Sequence, residues 1–502
     1  MRLISAFLMA SALVAPTLAF AQGPAPKTLD QLAPEIDALF AKYQAEAHVP
    51  GLVYGIVKDG RLAYVKGGGV QNIADKSPVT PDSLFRIASM TKAFTALAIL
   101  KLRDDGKLRL DDLAEQYVPE MKGWTYPTKD SPRIRVRDLL QHVGGLVTDD
   151  PWGDRQQVLS QDAFTTMIAA GVPFSRVPQS QHEYSNFGYA LLGRIVTNAS
   201  GMAYTDYVRQ AILTPLGMAD SGFDAPKAPN ARYARGYRWE NDRWSPEPEM
   251  IDGAFNAMGG LQVSANDYAK WVAFLLSAWP ARDDPDTGPV KRATVREMAQ
   301  GLNFTSVASR IGSTGADACK QSLAYGMGWR VAQDCDLGLT MAHGGGYPGY
   351  GSHVMLMPDH GVGIFALANR TYAGPSEPAW DTAVAMEGAG LLESPAVPVS
   401  PAVAEAFAAA RAAYAAGNIG PLEGRLAMNF LMDRSAANWA AELALLKERL
   451  GACPDAEPLA PLGALSTAFR LNCEKGKLDG MLLLAPTTPA TIQALRLRAA
   501  SE

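Results

Sequence analysis

An almost wholly apolar run, Ala93–Leu100, follows directly after the string Ser89-Met90-Thr91-Lys92. A run that is apolar on every side predicts a helix buried in the centre of a large core. Ser89 and Lys92 would share one face at the start of this helix, where unpaired backbone N–H groups favour developing negative charge. A deprotonated lysine amine can take the proton of the serine hydroxyl, so this pair is a candidate activated nucleophile.

The pair alone is not specific, because a chain of this size should hold about one or two S-x-x-K strings by chance. Two further segments support it. Tyr184-Ser185-Asn186 lies in a polar stretch ahead of an apolar run, and His343-Gly344-Gly345-Gly346 follows a short apolar strand. The three segments, in this order, resemble the S-x-x-K, Y-x-N and K-T-G or H-x-G motifs of the serine β-lactamase and penicillin-binding-protein superfamily. The resemblance is to the branch with AmpC-type β-lactamases, D-Ala-D-Ala carboxypeptidases, D-aminopeptidases and β-lactamase-like esterases, and framework strings such as 139–146 and 325–329 extend it over residues 30 to 390.

The order of helix and strand signals agrees with the fold that this resemblance implies. A helical pattern at residues 29–46 is followed by two apolar strands around Asp59-Gly60, a strong hairpin signal. Residues 110–300 read as mostly helical with many loops, and strand signals return after residue 325. We therefore expect an α+β fold of the β-lactamase type, in which helices flank an antiparallel sheet built from both ends of the chain and a helical subdomain is inserted.

The length of 502 residues predicts more than one domain. Residues 1–21 combine Arg2, an uncharged apolar run and Ala19-Phe20-Ala21, which predicts a secretory signal peptide rather than a retained anchor. Residues 22–393 would form the hydrolase domain. The proline-spaced stretch 394–402 predicts a linker, and residues 403–502 a small accessory α+β domain whose role the sequence does not reveal.

Four cysteines fit an oxidising compartment, so we expect a periplasmic or secreted bacterial protein. Four cysteines allow three pairings, and their spacing favours Cys319 with Cys335 and Cys453 with Cys473. Zinc is the rival interpretation, but the chain has no C-x-x-C string and no histidine near these cysteines. The sequence therefore predicts two disulfides, with no metal and no cofactor.

The resemblance implies a role for each motif residue. Ser89 would attack an acyl carbon, with Lys92 and Tyr184 as a shared base whose proton-bearing member the sequence does not identify. Burial and a second cation would lower the pKa of Lys92 enough for this role. Asn186 would hydrogen-bond Lys92 or the substrate amide.

The third motif would bind substrate through His343, Gly345 and Gly346. The N–H groups of Ser89 and Gly346 would form the oxyanion hole. An unperturbed histidine is mostly neutral at pH 7 and gains charge near pH 6, so His343 should hold a substrate carboxylate less well than the lysine of K-T-G enzymes. His142 is interpreted as a structural loop residue outside the site.

These features predict a serine hydrolase that acts through an acyl-enzyme on esters or D-amino-acid-containing amides and peptides. A β-lactamase or D-Ala-D-Ala carboxypeptidase is the alternative within the fold, and a non-catalytic penicillin-recognition or envelope scaffold is the alternative from another class. A net charge of −5 without blocks of like charge excludes a nucleic-acid surface. The expected partner is thus a small-molecule or peptide substrate, with no stable membrane anchor and an oligomeric state that the sequence does not fix.

Overall fold

The computed structural model describes residues 27–224, 231–315, 318–392 and 398–500. The chain divides into two units, Met1–Ser394 and Pro395–Glu502. The predicted signal peptide, residues 1–21, lies outside the described residues, as do residues 394–397 of the predicted linker. Within the described part of the chain, no helix combines the length and the apolar character needed to cross a membrane.

The first unit is built on a nine-stranded antiparallel sheet, in the order β3-β2-β1-β13-β12-β11-β10-β9-β8. Strands from near residue 50 and near residue 365 pair at its centre, so both ends of this unit contribute to one sheet. The strands of this unit are β1 (Gly51–Lys58), β2 (Arg61–Asn72), β3 (Ser77–Pro78), β4 (Phe85–Arg86), β5 (Tyr237–Glu240), β6 (Arg243–Pro246), β7 (Gln262–Val263), β8 (Asn303–Ser309), β9 (Lys320–Tyr325), β10 (Arg330–Asp334), β11 (Gly338–Tyr347), β12 (Tyr350–Met357) and β13 (Val362–Ala368). Of these, β4 pairs with β7 and β5 with β6 in two small two-stranded sheets.

Helices cover both faces of this sheet and fill the insertion between its two halves. They are α1 (Leu29–Glu46), α2 (Thr91–Asp104), α3 (Val136–Leu140), α4 (Trp152–Arg155), α5 (Gln161–Ala170), α6 (Asn186–Ser200), α7 (Tyr204–Val208), α8 (Asn256–Gly259), α9 (Ala265–Leu276), α10 (Arg292–Met298) and α11 (Ser376–Gly388). The first and last of these pack on one face of the sheet, and α2 and α9 belong to the larger core on the other. The predicted α+β architecture with an inserted helical subdomain is confirmed.

The local sequence explains where the first elements begin and end. Thr28 and Gln31 form a reciprocal capping box at the start of α1. Asp59 and Gly60 both have positive φ, at 54° and 72°, as a two-residue hairpin loop between β1 and β2 requires. The inserted region is less helical than predicted, because Tyr237–Pro246 forms the hairpin β5-β6 around Asn241 and Asp242, which both have positive φ.

The second unit is a small α+β body. Its elements are α12 (Pro401–Ala416), α13 (Phe430–Asp433), α14 (Ala436–Leu450), β14 (Asp455–Ala456), β15 (Ala460–Gly463), β16 (Ser466–Cys473), β17 (Gly476–Ala485) and β18 (Thr491–Ala499). Ser400 caps α12 and Gly417 ends it in the left-handed conformation. Alternate residues of β16 and β17, such as Leu471 and Leu482, share a core with both long helices.

Two disulfides join the four cysteines in the sequence-local pairing. Cys319 is bonded to Cys335, and Cys453 to Cys473. The first bridge links the residue just before β9 to the residue just after β10. The second links the segment after α14 to the end of β16, so each unit contains one bridge.

We expect each bridge to stabilise its unit by about 2–4 kcal/mol, because it restricts the unfolded chain. Replacing Cys453 and Cys473 together by serine should lower the melting transition of the second unit in scanning calorimetry, and replacing Cys319 and Cys335 that of the first. Non-reducing peptide mapping of protein from an oxidising compartment should recover the same two pairs. Mapping that recovers the exchanged pairing, or all four thiols free, would contradict this expectation.

Candidate active site

Ser89 lies in a short turn of 3-10 helix, Ala88–Met90, that leads directly into α2. Ala88 has φ of 49°, a conformation that L-residues other than glycine adopt only at a cost. The surrounding structure holds it there, since Ala88 is buried and lies beside Gly345 of the third motif. The strained residue sets the direction in which the Ser89 side chain leaves the chain.

Lys92 is fully buried and uses all three of its N–H donors. Nζ lies 3.0 Å from Ser89 Oγ, 2.7 Å from Asn186 Oδ1 and 2.8 Å from the carbonyl oxygen of Met258. Residues of the first and second motifs therefore meet at one ammonium group. The arrangement points the lysine at the serine oxygen.

Burial lowers the pKa of Lys92 to about 8, against the raising effect of the nearby carboxylates Asp150, Asp154 and Asp149. From the sequence, burial and a second cation are the expected causes of such a shift. Burial is the cause that the structure supports, because the charged neighbours that act most strongly are acidic. The amine is thus closer to neutrality at physiological pH than an exposed lysine.

Tyr184 stands over this lysine, with its ring centroid 4.9 Å from Lys92 Nζ. Burial raises the pKa of Tyr184 well above its usual value, while a hydrogen bond with Ser89 acts in the opposite direction. His142 supports this segment: its Nδ1 accepts a hydrogen bond from the Ser185 N–H at 3.1 Å, and its ring lies 4.3 Å from that of Tyr184. His142 thus holds the second motif in place, and its interpretation as a structural residue stays a prediction.

Asn186 is the first residue of α6, and the carboxylate of Asp149 fixes the start of this helix. Asp149 accepts hydrogen bonds from the backbone N–H of Asn186 at 2.7 Å and of Phe187 at 2.8 Å. The Asn186 side chain donates from Nδ2 to Asp150 and accepts from Lys92 through Oδ1. The predicted contact of Asn186 with Lys92 is therefore present, and the contact with a substrate amide stays a prediction.

His343 is held as a neutral imidazole. Nδ1 lies 2.7 Å from the carbonyl oxygen of Gly344, which can only accept, so Nε2 accepts from the Tyr325 hydroxyl at 3.1 Å. Burial, Lys92 and Arg330 lower the pKa of His343 to about 3. The expectation that this histidine gains charge near pH 6 is therefore wrong, because the sequence does not reveal its burial beside two cations.

The glycines of the third motif allow β11 to approach the nucleophile turn closely. A Cβ on Gly345 would overlap the Ile87 carbonyl oxygen and the Ser352 hydroxyl, and a Cβ on Gly346 would lie 2.8 Å from the Tyr372 ring. Gly344 has more room, since its nearest neighbour would be 3.8 Å away. Close packing at position 345 thus brings Gly346 to the cavity that Ser89 lines.

This cavity has a volume of about 750 Å³, and Ser89, Tyr184, His343 and Gly346 all line it. Sequence reasoning missed Arg330, an exposed guanidinium on β10 in the same lining. The framework string 325–329 ends directly before Arg330, which is the signal that could have drawn attention to it. Arg330 supplies a positive charge that a neutral His343 does not.

Sequence reasoning also missed the acidic side of the cavity. Asp150 and Asp154 line it, and Asp154 is buried with its carboxylate accepting from the Tyr372 hydroxyl at 3.1 Å. Burial, followed by repulsion from Asp150, raises the pKa of Asp154 to about 7. The cavity thus carries the Arg330 guanidinium and, in Asp154, a carboxyl group whose charge varies near neutral pH.

Comparison with known proteins places this geometry in context. A family model described as Beta-lactamase matches residues 36–388. Protein flp of Staphylococcus aureus (strain COL) is 29% identical over 348 residues, which cover 67% of this chain and 62% of that protein. Beta-lactamase-like protein 2 of Dictyostelium discoideum is 32% identical over 268 residues, covering 52% of this chain and 48% of that protein. The chain thus spans about 62% of the length of the flp relatives that it matches.

Among solved structures, the octameric penicillin-binding protein homologue from Pyrococcus abyssi aligns with a TM-score of 0.59 and 22% sequence identity. The alignment covers 93% of this chain and 99% of that one. At this identity the likeness concerns the fold. The aligned part of the chain is longer than residues 36–388, which the family model matches.

Proposed function

The chain belongs to the Beta-lactamase family, and from this premise we propose that it is a serine hydrolase that forms an acyl-enzyme on Ser89. The observation that carries the proposal is the 3.0 Å hydrogen bond from the buried Lys92 Nζ to Ser89 Oγ, together with the lowered pKa of this lysine. A purely structural role for Lys92 does not explain why its amine contacts a serine that lines a cavity. A non-catalytic scaffold is disfavoured for the same reason.

In the proposed reaction Ser89 Oγ attacks the acyl carbon while its proton passes to Lys92 and Tyr184. The backbone N–H groups of Ser89 and Gly346 bind the oxyanion, and one such donor is typically worth about 3–4 kcal/mol in the transition state. The proton then moves through Tyr184 to the leaving group as the bond to it breaks. Water, deprotonated by the same pair, hydrolyses the ester of Ser89 and restores the free enzyme.

Esters and D-amino-acid amides or peptides are the proposed substrates, because a neutral His343 offers a carboxylate no charge. A β-lactamase or D-Ala-D-Ala carboxypeptidase is a second candidate. Arg330 favours it, since an exposed guanidinium in the cavity can hold the carboxylate that such substrates carry. The two disulfides support a periplasmic or secreted location for either enzyme.

A substrate panel tests these alternatives. Purified protein would be assayed with p-nitrophenyl acetate, D-alanine p-nitroanilide, D-alanyl-D-alanine peptides and nitrocefin, and kcat/KM compared. Faster turnover of the ester or the D-amino-acid amide supports the first proposal. If nitrocefin or the D-alanyl-D-alanine peptide has the highest kcat/KM, the second candidate, a β-lactamase or D-Ala-D-Ala carboxypeptidase, replaces the first. No turnover of any substrate, with no acylation of Ser89, contradicts both.

Replacing Arg330 by alanine is expected to lower kcat/KM for carboxylate-bearing substrates at least tenfold, since a hydrogen bond to a charged group is worth about 1.5–3 kcal/mol. Turnover of p-nitrophenyl acetate, which has no carboxylate, should remain within about twofold of wild type. Arg330→Lys keeps the charge and should recover part of the loss. Equal losses on charged and uncharged substrates would assign Arg330 a structural role instead.

A further inference from the structure

Tyr372 lies in the loop between β13 and α11, and its backbone is held in a costly conformation. Its φ is 54°, which a bulky residue adopts only where the surrounding structure imposes it. Thr371 anchors the loop, because its N–H donates to the Tyr237 carbonyl oxygen at 2.8 Å and its hydroxyl lies 2.9 Å from a Glu247 carboxylate oxygen. The Tyr372 N–H donates to the Tyr350 carbonyl oxygen at 3.1 Å. The fold therefore fixes the direction in which the Tyr372 side chain leaves the loop.

This side chain connects the sheet with the inserted helical region. Its ring fills the space that a side chain at position 346 would take, since a Cβ on Gly346 of β11 would lie 2.8 Å from the ring. Its hydroxyl donates to Asp154 of α4, with a distance of 3.1 Å to Oδ2. Tyr372, Asp154 and Gly346 all line the cavity that contains Ser89. The hydrogen bond therefore joins two walls of that cavity.

The helical end of this contact is fixed as well. α4 packs on the second motif so closely that a Cβ on Gly153 would lie 2.6 Å from Asn186 Cβ. Asn186 in turn accepts the hydrogen bond from Lys92. Asp154 follows Gly153 and is only 3% exposed, whereas Tyr372 is 43% exposed. A buried carboxylate thus holds a side chain that has one side toward solvent, which places Tyr372 at the rim of the cavity.

We propose that the hydrogen bond between Tyr372 and Asp154 is a strap that closes the cavity beside Gly346 and makes the enzyme selective for compact esters and amides. This inference rests on the proposed serine-hydrolase function. In that mechanism the Gly346 N–H binds the oxyanion, so the reacting carbonyl lies next to the residue that the Tyr372 ring covers. A bulky group on this side has to displace the ring and break the hydrogen bond, whereas a compact group leaves both in place.

Three esters test the strap. p-Nitrophenyl acetate is compact, p-nitrophenyl phenylacetate is bulky in the acyl group, and 4-methylumbelliferyl acetate is bulky in the leaving group. The measured quantity is kcat/KM for each bulky ester divided by kcat/KM for p-nitrophenyl acetate, a ratio that cancels effects common to all esters. Tyr372→Ala should raise this ratio about tenfold for at least one bulky ester, because it removes the ring and a hydrogen bond to a charged group. Unchanged ratios for both bulky esters would overturn the inference.

Two further variants separate the hydrogen bond from the ring. Tyr372→Phe keeps the ring without its hydroxyl, and Asp154→Ala keeps the tyrosine without its acceptor. Each should raise the same ratio by about threefold to fivefold, the scale of one ordinary hydrogen bond. The double variant should gain no more than the better single variant, because the two changes remove one contact. Gains that multiply in the double variant, or no gain in Tyr372→Phe, would also overturn the inference.

Tyr117→Phe is the matched control. Tyr117 donates to Asp112 at 2.7 Å in the same kind of contact between a tyrosine and a carboxylate, and neither of these two described residues lines the cavity. Its ratios should equal those of the wild type. Circular dichroism and fluorophosphonate labelling of Ser89 show that a variant is folded. Failure of the wild type to hydrolyse all three esters, with no label on Ser89, would instead remove the proposed function, so the two failures are distinguishable.

Discussion

Replacing Ser89 by alanine is expected to lower kcat by about 10⁶-fold, the scale on which a hydrolase loses activity with its nucleophile. Ser89 Oγ accepts the hydrogen bond from Lys92 and lines the cavity beside Gly346. The variant should fold normally, since only a hydroxyl is lost. The measurement is turnover of p-nitrophenyl acetate, together with labelling by a fluorophosphonate probe and peptide mass spectrometry.

Ser185 provides the control, because its hydroxyl caps α6 by accepting from the Gly188 N–H at 3.2 Å. Ser185→Ala should lower stability modestly and leave the mass label on the peptide that contains Ser89. A label on another serine, or turnover that persists in Ser89→Ala, would falsify the assignment of the nucleophile.

Lys92→Ala and Tyr184→Phe are each expected to slow acylation by about 10²–10⁴-fold, the usual contribution of a general base. If the two groups move one proton together, the double variant should lose little more than the worse single variant, as is typical of residues that act as a unit. Single-turnover acylation measures this directly. Losses that multiply in the double variant would show that the two residues act independently.

Matched substitutions separate chemistry from packing. Lys92→Arg retains a cation but removes the base and should be nearly as slow as Lys92→Ala. Tyr189→Phe removes a buried hydroxyl that donates to the Leu140 carbonyl oxygen at 2.8 Å and should leave the acylation rate almost unchanged. The acylation rate of the wild type should rise with pH and level off above about 8, because the neutral fraction of Lys92 grows through its lowered pKa. A rate that falls through this range would contradict Lys92 as the base.

The fold and the motif residues could be predicted because they depend on local patterns. The apolar run after Lys92 is the signal of a helix buried on all sides, and Asp59-Gly60 is the signal of a tight hairpin. Such features need no knowledge of distant residues. The positions of Ser89, Lys92, Tyr184 and Asn186 in one cluster followed from the order of the motifs, which the resemblance supplied.

Other properties of the site could not be predicted because they depend on which distant segments meet. The neutral state of His343 depends on burial near Lys92 and Arg330 and on its contact with Tyr325. The raised pKa of Asp154 depends on burial and on repulsion from Asp150, while the hydrogen bond from Tyr372 acts in the opposite direction. The positive φ of Ala88 had no signal at all, since alanine does not favour that conformation.

The pairing of β1 with β13 affects when activity can first arise. Leu52 lies opposite Ala368 in this pair, and β13 also pairs with β12, which in turn holds the third-motif strand β11. During synthesis the ribosome adds Ser89, Lys92 and Tyr184 to the chain long before it adds β13. Contacts between such distant segments also form slowly, because a long loop must close first. A nascent chain should therefore carry its nucleophile without using it until the ribosome has passed residue 368, and hydrolysis should begin only with the finished domain.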